Sequence, residues 1–519
     1  MKKYFVTAII SILVLAALPG ICLASAGSGD VGISYLFLDE TGNNSVDHSS
    51  FNIYEGATLS VEDLRYLFDN GLRIRADMTN IFMNNRNLTF GVDKSGLFGM
   101  SFSHNQYRRI YSFDGDLYTR RHQNSLRLWV TPVKFLKIWA GGKLYERSGQ
   151  VTDMFGAGSG YLSSDLDYKQ NELQGGFLLN HDGALLNAQV RRQNFTDNLD
   201  ENRDRKTTEL KVAGTLPMPN HEWLVLTGGF RRICSKYDIS ETTISANRGW
   251  AGMRADLPYD LQLRYKFIFD RASSDSDFVA TDNITNTVYL SKVWPRFAML
   301  TFGYQNGVND DYEDEVSSNS FLIGGFIRPH KLVELRGEMG LTEEEIEDGS
   351  RYVGEESRNR HRFTLKFMPE RYGNFQIKYA NRERENKDLG TEIDYSSITT
   401  DYSISHYKYG SLSVGYTYSC GEYTNRDENF KFKDHSVYGD LRITEYKNLI
   451  GGCGITYYRS KTDLDVESII LRFDAEYGFY EDYAFKVEYN IHNFDDFKYF
   501  DRYYTANIVK ISLIKHMSF

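Results

Sequence analysis

The chain has 519 residues, with 60 Lys and Arg against 70 Asp and Glu, a formal net charge of -10 and a mean hydropathy of -0.47. An acidic balance of this kind argues against nucleic acid as a partner. No run reaches the length of apolar residues that a membrane-spanning helix needs, yet aromatics make up 14% of the chain, with 37 Tyr and 33 Phe.

The first element is a leader. Lys2 and Lys3 precede an apolar stretch from Phe5 to Leu18, and Ala24-Ser25-Ala26 offers small residues for cleavage. Residues 1–26 read as a cleaved signal peptide, leaving 27–519 as one mature domain. Three cysteines remain there, Cys234, Cys420 and Cys453, an odd number that excludes a complete disulfide framework. Cys453 falls on the apolar face of a strand and is expected to be a small buried hydrophobe.

Alternating runs then follow one another to the end of the chain. Leu126, Leu128 and Val130 alternate before Pro132, and Leu136, Ile138, Ala140 and Leu144 after it, with Arg127, Lys137 and Lys143 on the other face. Leu263, Tyr265 and Phe267 follow Pro258 against Arg264 and Lys266; Val333, Leu335 and Met339 follow Pro329 against Glu334 and Arg336. Phe375, Ile377 and Tyr379 follow Pro369 against Lys378, and Ile469, Leu471 and Phe473 run against Arg472. Period-two alternation is the signature of a strand with two unlike faces. The last run, Ile508 to Phe519, puts Val509, Ile511, Leu513, Met517 and Phe519 on one face.

Proline supplies a ruler, because it cannot donate to a sheet ladder and is confined to turns, edges and bulges. From Pro219 through Pro258, Pro295 and Pro329 to Pro369 the steps are 39, 37, 34 and 40 residues by subtraction. One step is a strand–loop–strand–turn unit. With 519 - 26 = 493 mature residues, this spacing predicts about thirteen hairpins, and runs counted back from Phe519 give 26 strands, with 24 to 26 accepted. The polar stretches Asn309–Glu315, Thr342–Asp348 and Arg382–Asp388 are expected to be loops at the opposite end from the prolines; such acidic loops offer oxygen ligands to divalent cations, though a solvated face suits them better. The fold class is therefore all-β: a single large antiparallel up-and-down transmembrane barrel with short periplasmic turns and longer extracellular loops.

At ~4.8 Å between strands and ~40° tilt, closing that many strands gives a backbone diameter on the order of 50 Å. An empty hole of that width would leak. The lumen is therefore expected to hold another protein, docked against the inward charges Lys137, Arg264, Lys266, Glu334, Arg336, Lys378 and Arg472. The runner-up is a general or substrate-specific diffusion porin with in-folded loops.

A signal peptide, about 26 short-looped strands, Tyr- and Gly-rich alternating segments and a terminal Phe519 resemble the MtrB/PioB-type family of outer-membrane barrels. The resemblance covers the mature chain as architecture, and the Cys-x-x-Cys that some members carry near the mature N-terminus is absent. It implies residence in the bacterial outer membrane and a multihaem c-type cytochrome in the lumen, carrying electrons across that membrane. The haem belongs to the partner: this chain has no Cys-x-x-Cys-His and is expected to bind no cofactor. The terminal aromatic resembles the signal read by the barrel assembly machinery, and lipid is the remaining partner. No nucleophile-elbow Gly-x-Ser-x-Gly occurs, the histidines have no metal-ligand spacing, and no catalytic or metal-binding residues are assigned.

Overall fold

The structure is a computed structural model. It describes residues 24–42, 54–110, 117–153, 162–275, 280–311, 314–346, 356–369, 372–387, 389–406, 410–425, 428–446, 448–499 and 503–518. Most of the expected leader and the terminal Phe519 lie outside the described residues, whereas Ala24–Ala26 already belong to the first strand.

Alternation becomes 26 antiparallel strands in a single sheet. They are β1 (Ala24–Gly42), β2 (Gly56–Phe68), β3 (Leu72–Thr79), β4 (Asn87–Lys94), β5 (Phe98–Ile110), β6 (Tyr118–Val133), β7 (Leu136–Asp153), β8 (Leu162–His181) and β9 (Ala184–Asp197). Next come β10 (Arg205–Met218), β11 (His221–Tyr237), β12 (Thr243–Leu257), β13 (Leu261–Ser274), β14 (Ala280–Trp294), β15 (Ala298–Asp311), β16 (Asp314–His330), β17 (Val333–Ile346) and β18 (Glu356–Phe367). The last are β19 (Asn374–Asn386), β20 (Thr391–His406), β21 (Gly410–Asn425), β22 (Glu428–Tyr446), β23 (Leu449–Thr462), β24 (Val466–Tyr480), β25 (Tyr483–Asp496) and β26 (Tyr503–Ser518). Each strand pairs with its chain neighbours, and β26 pairs back onto β1 from Ser28 opposite Ser518 to Gly42 opposite Tyr504. Ser34 Oγ donates to Ser512 Oγ across that seam at 2.8 Å. Closure leaves no edge strand unpaired, which is the condition for a sheet in lipid.

All the prolines of the ruler sit at one end, where even-numbered strands turn into odd-numbered ones. Pro132, Pro217 and Pro329 coincide with register shifts in the β6–β7, β10–β11 and β16–β17 pairs. A residue that cannot donate breaks the ladder there, and the chain bulges before it turns. Between β8 and β9, where proline is missing, left-handed Asp182 (φ 49°) and Gly183 (φ 80°) make the turn.

The opposite end corrects one expectation. Asn309–Asp311 belong to β15 and Asp314–Glu315 to β16, leaving only 312–313 between them; Thr342–Ile346 belong to β17 and Arg382–Asn386 to β19. Within these bounds the stretches are strand, not loop; 312–313, 347–348 and 388 lie outside the described residues. Beyond the apolar belt both faces of a strand meet water, so the alternation that reveals a strand disappears although the ladder continues.

A wide barrel has no central core. Among the described residues, two small clusters of buried apolar side chains sit on opposite faces of the wall. Val61, Ala76, Met78 and Leu88 face outward and pack with Ile81 of the segment between β3 and β4. Burial, and then the neighbouring Arg120 guanidinium, hold Arg86 of that segment below the usual arginine range. Tyr504, Ala506 and Ile508 face inward with Leu36, Leu38 and Phe494. Elsewhere the large apolar side chains of the outward face are exposed, including Leu128, Ile138, Ile323, Leu335 and Phe473. Cys453 is one of them. It is free and exposed beside Leu441 and Phe473, not buried as expected, because the apolar face of this wall meets lipid and not a core.

Candidate functional site: the lumen wall

Register carries one face around the barrel. Lys137 stands opposite Leu178, and the ladder continues through Asn187, Ala213, Gly229 and Trp250 to Ile268 on β13. Arg264 and Lys266 share that face at period two. From Arg264 it runs through Tyr289, Gly303 and Leu322 to Gly340 on β17, the face of Glu334 and Arg336. Arg336 leads through Thr364 to Lys378, and from there through Thr399, Thr417, Ser436 and Tyr458 to Ser468, the face of Arg472. All seven candidates thus lie on the lumen side, opposite the apolar belt.

Their surroundings differ. Lys137 Nζ sits 5.2 Å from the Trp129 ring, beside Arg127 stacked at 5.0 Å on Trp139. Arg264 Nε donates to Gln262 Oε1 at 2.7 Å, and the side chain is exposed to the lumen. Lys266 and Arg472 are exposed with no carboxylate at ion-pair distance among the described residues. Lys378 Nζ lies 3.1 Å from Asp401. Glu334 is only 1% exposed, held by Arg328 Nε at 2.6 Å and by Arg336. It offers the lumen no free acceptor. The seven do not converge on one point: Arg264 with Lys266, and Glu334 with Arg336, are the only neighbours among them.

Two inward features escaped the sequence reading. The first is a ladder of arginines on β18 and β19. Arg358 stands directly opposite Arg384, and Arg360 opposite Arg382, with Arg362 next along β18. Like charges directly opposite one another destabilise a sheet. Glu356 offsets one pair by binding both Arg358 and Arg384, the latter at 2.6 Å, and Glu338 lies 3.5 Å from Arg360. Arg362 and Arg382 have no carboxylate at ion-pair distance among the described residues, and with Arg360 they line a concavity of about 450 Å³. The signal was present as Arg358-x-Arg360-x-Arg362, which is period two; reading Arg382–Asp388 as a loop hid the facing strand.

The second feature is how inward aromatics lie. Trp129, Trp139, Trp250, Tyr289, Phe432 and Tyr438 each cover a glycine directly across the ladder: Gly99, Gly176, Gly229, Gly303, Gly421 and Gly415. A Cβ at any of these glycines would meet the ring at 3.0 Å or less. The rings are therefore folded against the wall, and the bore stays clear of them.

Among the described residues no three His, Cys, Asp or Glu side chains converge to hold a metal. Among the described residues no helix is long and apolar enough to cross a membrane; the strands cross it.

No family model and no curated protein matches the chain. Solved structures do. Two mutants of the ferric enterobactin receptor PfeA of Pseudomonas aeruginosa superpose with TM-scores of 0.52 and 0.51 at 8% and 9% identity, covering 95% of this chain and 81% and 80% of theirs. The siderophore receptor PirA of the same organism gives 0.49 at 10% identity, over 95% of this chain and 80% of that one. At such identities the likeness is of fold alone. A closed 26-strand barrel with an apolar outer belt, built like PfeA, is an integral protein of the bacterial outer membrane.

Proposed function

We propose that this barrel sheathes a multihaem c-type cytochrome and so forms the insulating half of an electron conduit across the outer membrane. The observation that carries the reading is the closure of 26 strands, which gives a bore on the order of 50 Å between backbones. That is far wider than a pore lined by its own side chains needs. The inward wall supports the same reading: six of its aromatics are folded over glycines of the facing strand, and charges of both signs stand along the bore. A buried protein–protein surface uses such charges to set orientation and register more than affinity. Electrons would move through the partner's haems, and this chain would supply position and insulation.

The arginine ladder favours a second reading, a diffusion pore selective for anions, since rings of Arg and Lys select anions. One experiment separates the two. The barrel is purified from native membranes of cells respiring on an extracellular acceptor, then examined for haem absorbance and single-channel conductance. A haem-stained band that stays with the barrel through purification is expected. A stable, anion-selective pore with no haem would overturn the sheath and promote the porin.

A further inference from the structure

The outer wall beyond the apolar belt is charged asymmetrically around its circumference. On β9 to β11, Arg192, Arg232 and Lys236 point outward and are exposed, and no carboxylate lies at ion-pair distance from any of them among the described residues. Lys206, between them on β10, is paired with Asp238 at 2.9 Å. On β15 to β20 the loop end of the wall carries Asp310, Glu315, Glu343, Glu383, Glu385 and Asp394, all exposed and none in an ion pair among the described residues. Register places both sets on the outer face. Arg232 stands opposite Leu210, which pairs with Val190, while Glu343 follows the outward Leu341 and Met339 on β17.

The basic arc stands at a boundary. Arg192 is directly opposite Leu173, which is 69% exposed, and Arg232 shares its rung with Leu210 and Val190, also exposed. Arg192 and Arg232 are two strands and a two-residue step apart, on the order of 12 Å between Cα atoms. Two long side chains at that spacing converge on one headgroup while their stems lie along apolar surface. Cations beside outward Leu and Val, with no ion-pair partner among the described residues, match an amphiphile with acyl chains below and an anionic group above. The acidic arc repels the same molecule, so β15 to β20 offer no such site.

We infer that Arg192, Arg232 and Lys236 form a docking site for the phosphorylated headgroup of an outer-leaflet lipid. The site fixes how the barrel is seated among anionic lipids, whatever fills its lumen. Charge-assisted bonds from guanidinium to phosphate supply the specificity.

Native mass spectrometry of the purified barrel in non-ionic detergent tests this, with phosphatidic acid and phosphatidylcholine of matched acyl chains as probes. The wild type should retain phosphatidic acid in preference to phosphatidylcholine. Arg192→Gln, Arg232→Gln and Lys236→Gln should each lower that retention roughly fivefold, and together multiplicatively. Glu343→Gln with Glu383→Gln should leave it unchanged, and inorganic phosphate should not displace the lipid. If the triple variant fails to fold, the single variants carry the test. Undiminished retention in all three, an equal loss in the acidic-arc variant, or full displacement by inorganic phosphate would overturn the assignment.

Discussion

Trp250 lies flat against Gly229, its partner across the β11–β12 ladder, so closely that a Cβ on Gly229 would stand 2.2 Å from Trp250 Cζ2 and 2.6 Å from the Val212 carbonyl oxygen. The glycine is there because the indole needs the space. Gly229→Ala should force the ring off the wall into the bore and strain the backbone, at a cost of about 1–3 kcal/mol. Gly249→Ala, where a Cβ meets nothing within 4 Å, should be close to neutral. Urea unfolding midpoints of the two variants check this, with tryptophan quenching by a soluble quencher rising only in the first. Equal midpoints would mean the indole is not held there.

Depth along the outer face sets a second expectation. Ile323 lies in the middle of the apolar belt, opposite Phe302 and Met339, all three exposed. Ile323→Arg should cost roughly 2–4 kcal/mol, and Leu335→Arg, near the turn end of β17, only ~0–1 kcal/mol. Lys266→Leu changes an inward residue and should leave folding nearly unaltered. Folding into vesicles across a urea series measures all three. A larger penalty for Leu335→Arg than for Ile323→Arg would place the membrane belt elsewhere.

Strand number and facing were legible because they rest on local chemistry. Proline marks one end of each hairpin, and alternation marks every stretch with lipid on one side and polar lumen on the other. The count of 26 was reached this way and matches β1 to β26 in number. What was hidden depends on more than one strand. Asn309–Glu315 and Arg382–Asn386 are polar on both faces, so they carried no alternation and read as loops. The Arg360–Arg382 rung, the fold of Trp250 onto Gly229 and the split of outward charge between Arg232 and Glu343 appear only once register is known. Cys453 misled because an apolar strand face predicts burial in a soluble protein, whereas here that face is the outside.

The chain terminus gives a third prediction. Val509, Ile511 and Leu513 point outward along β26, and that strand closes the barrel against β1. Deleting Phe519, or changing it to Asp, should slow insertion by the assembly machinery without altering the stability of barrel already folded. The check is the fraction of heat-modifiable protein in outer-membrane preparations. Full wild-type levels from the deletion would show that this residue is not read as a signal.

The inward charges give the prediction that bears on function. Lys137, Arg264, Lys266, Arg336, Lys378 and Arg472 are candidates for contact with whatever occupies the bore, while Glu334 is shut between Arg328 and Arg336. Reversing Arg264, Lys266 and Arg472 to Glu removes exposed charge and no ion pair seen in the wall, so the barrel should still insert. Under the sheath reading a cytochrome partner then loses its register and should be released, read as haem lost from a pull-down on the barrel. Under the pore reading the same triple variant should shift ion selectivity toward cations. Arg336→Glu is the contrast. It sets a new carboxylate beside buried Glu334, and its cost should appear in folding, because a buried charge that loses its partner is strongly destabilising. If the exposed triple reversal changes neither haem retention nor selectivity, these residues face no functional partner and the lumen's role lies elsewhere on the wall, with the Arg362 and Arg382 pair the next to be reversed.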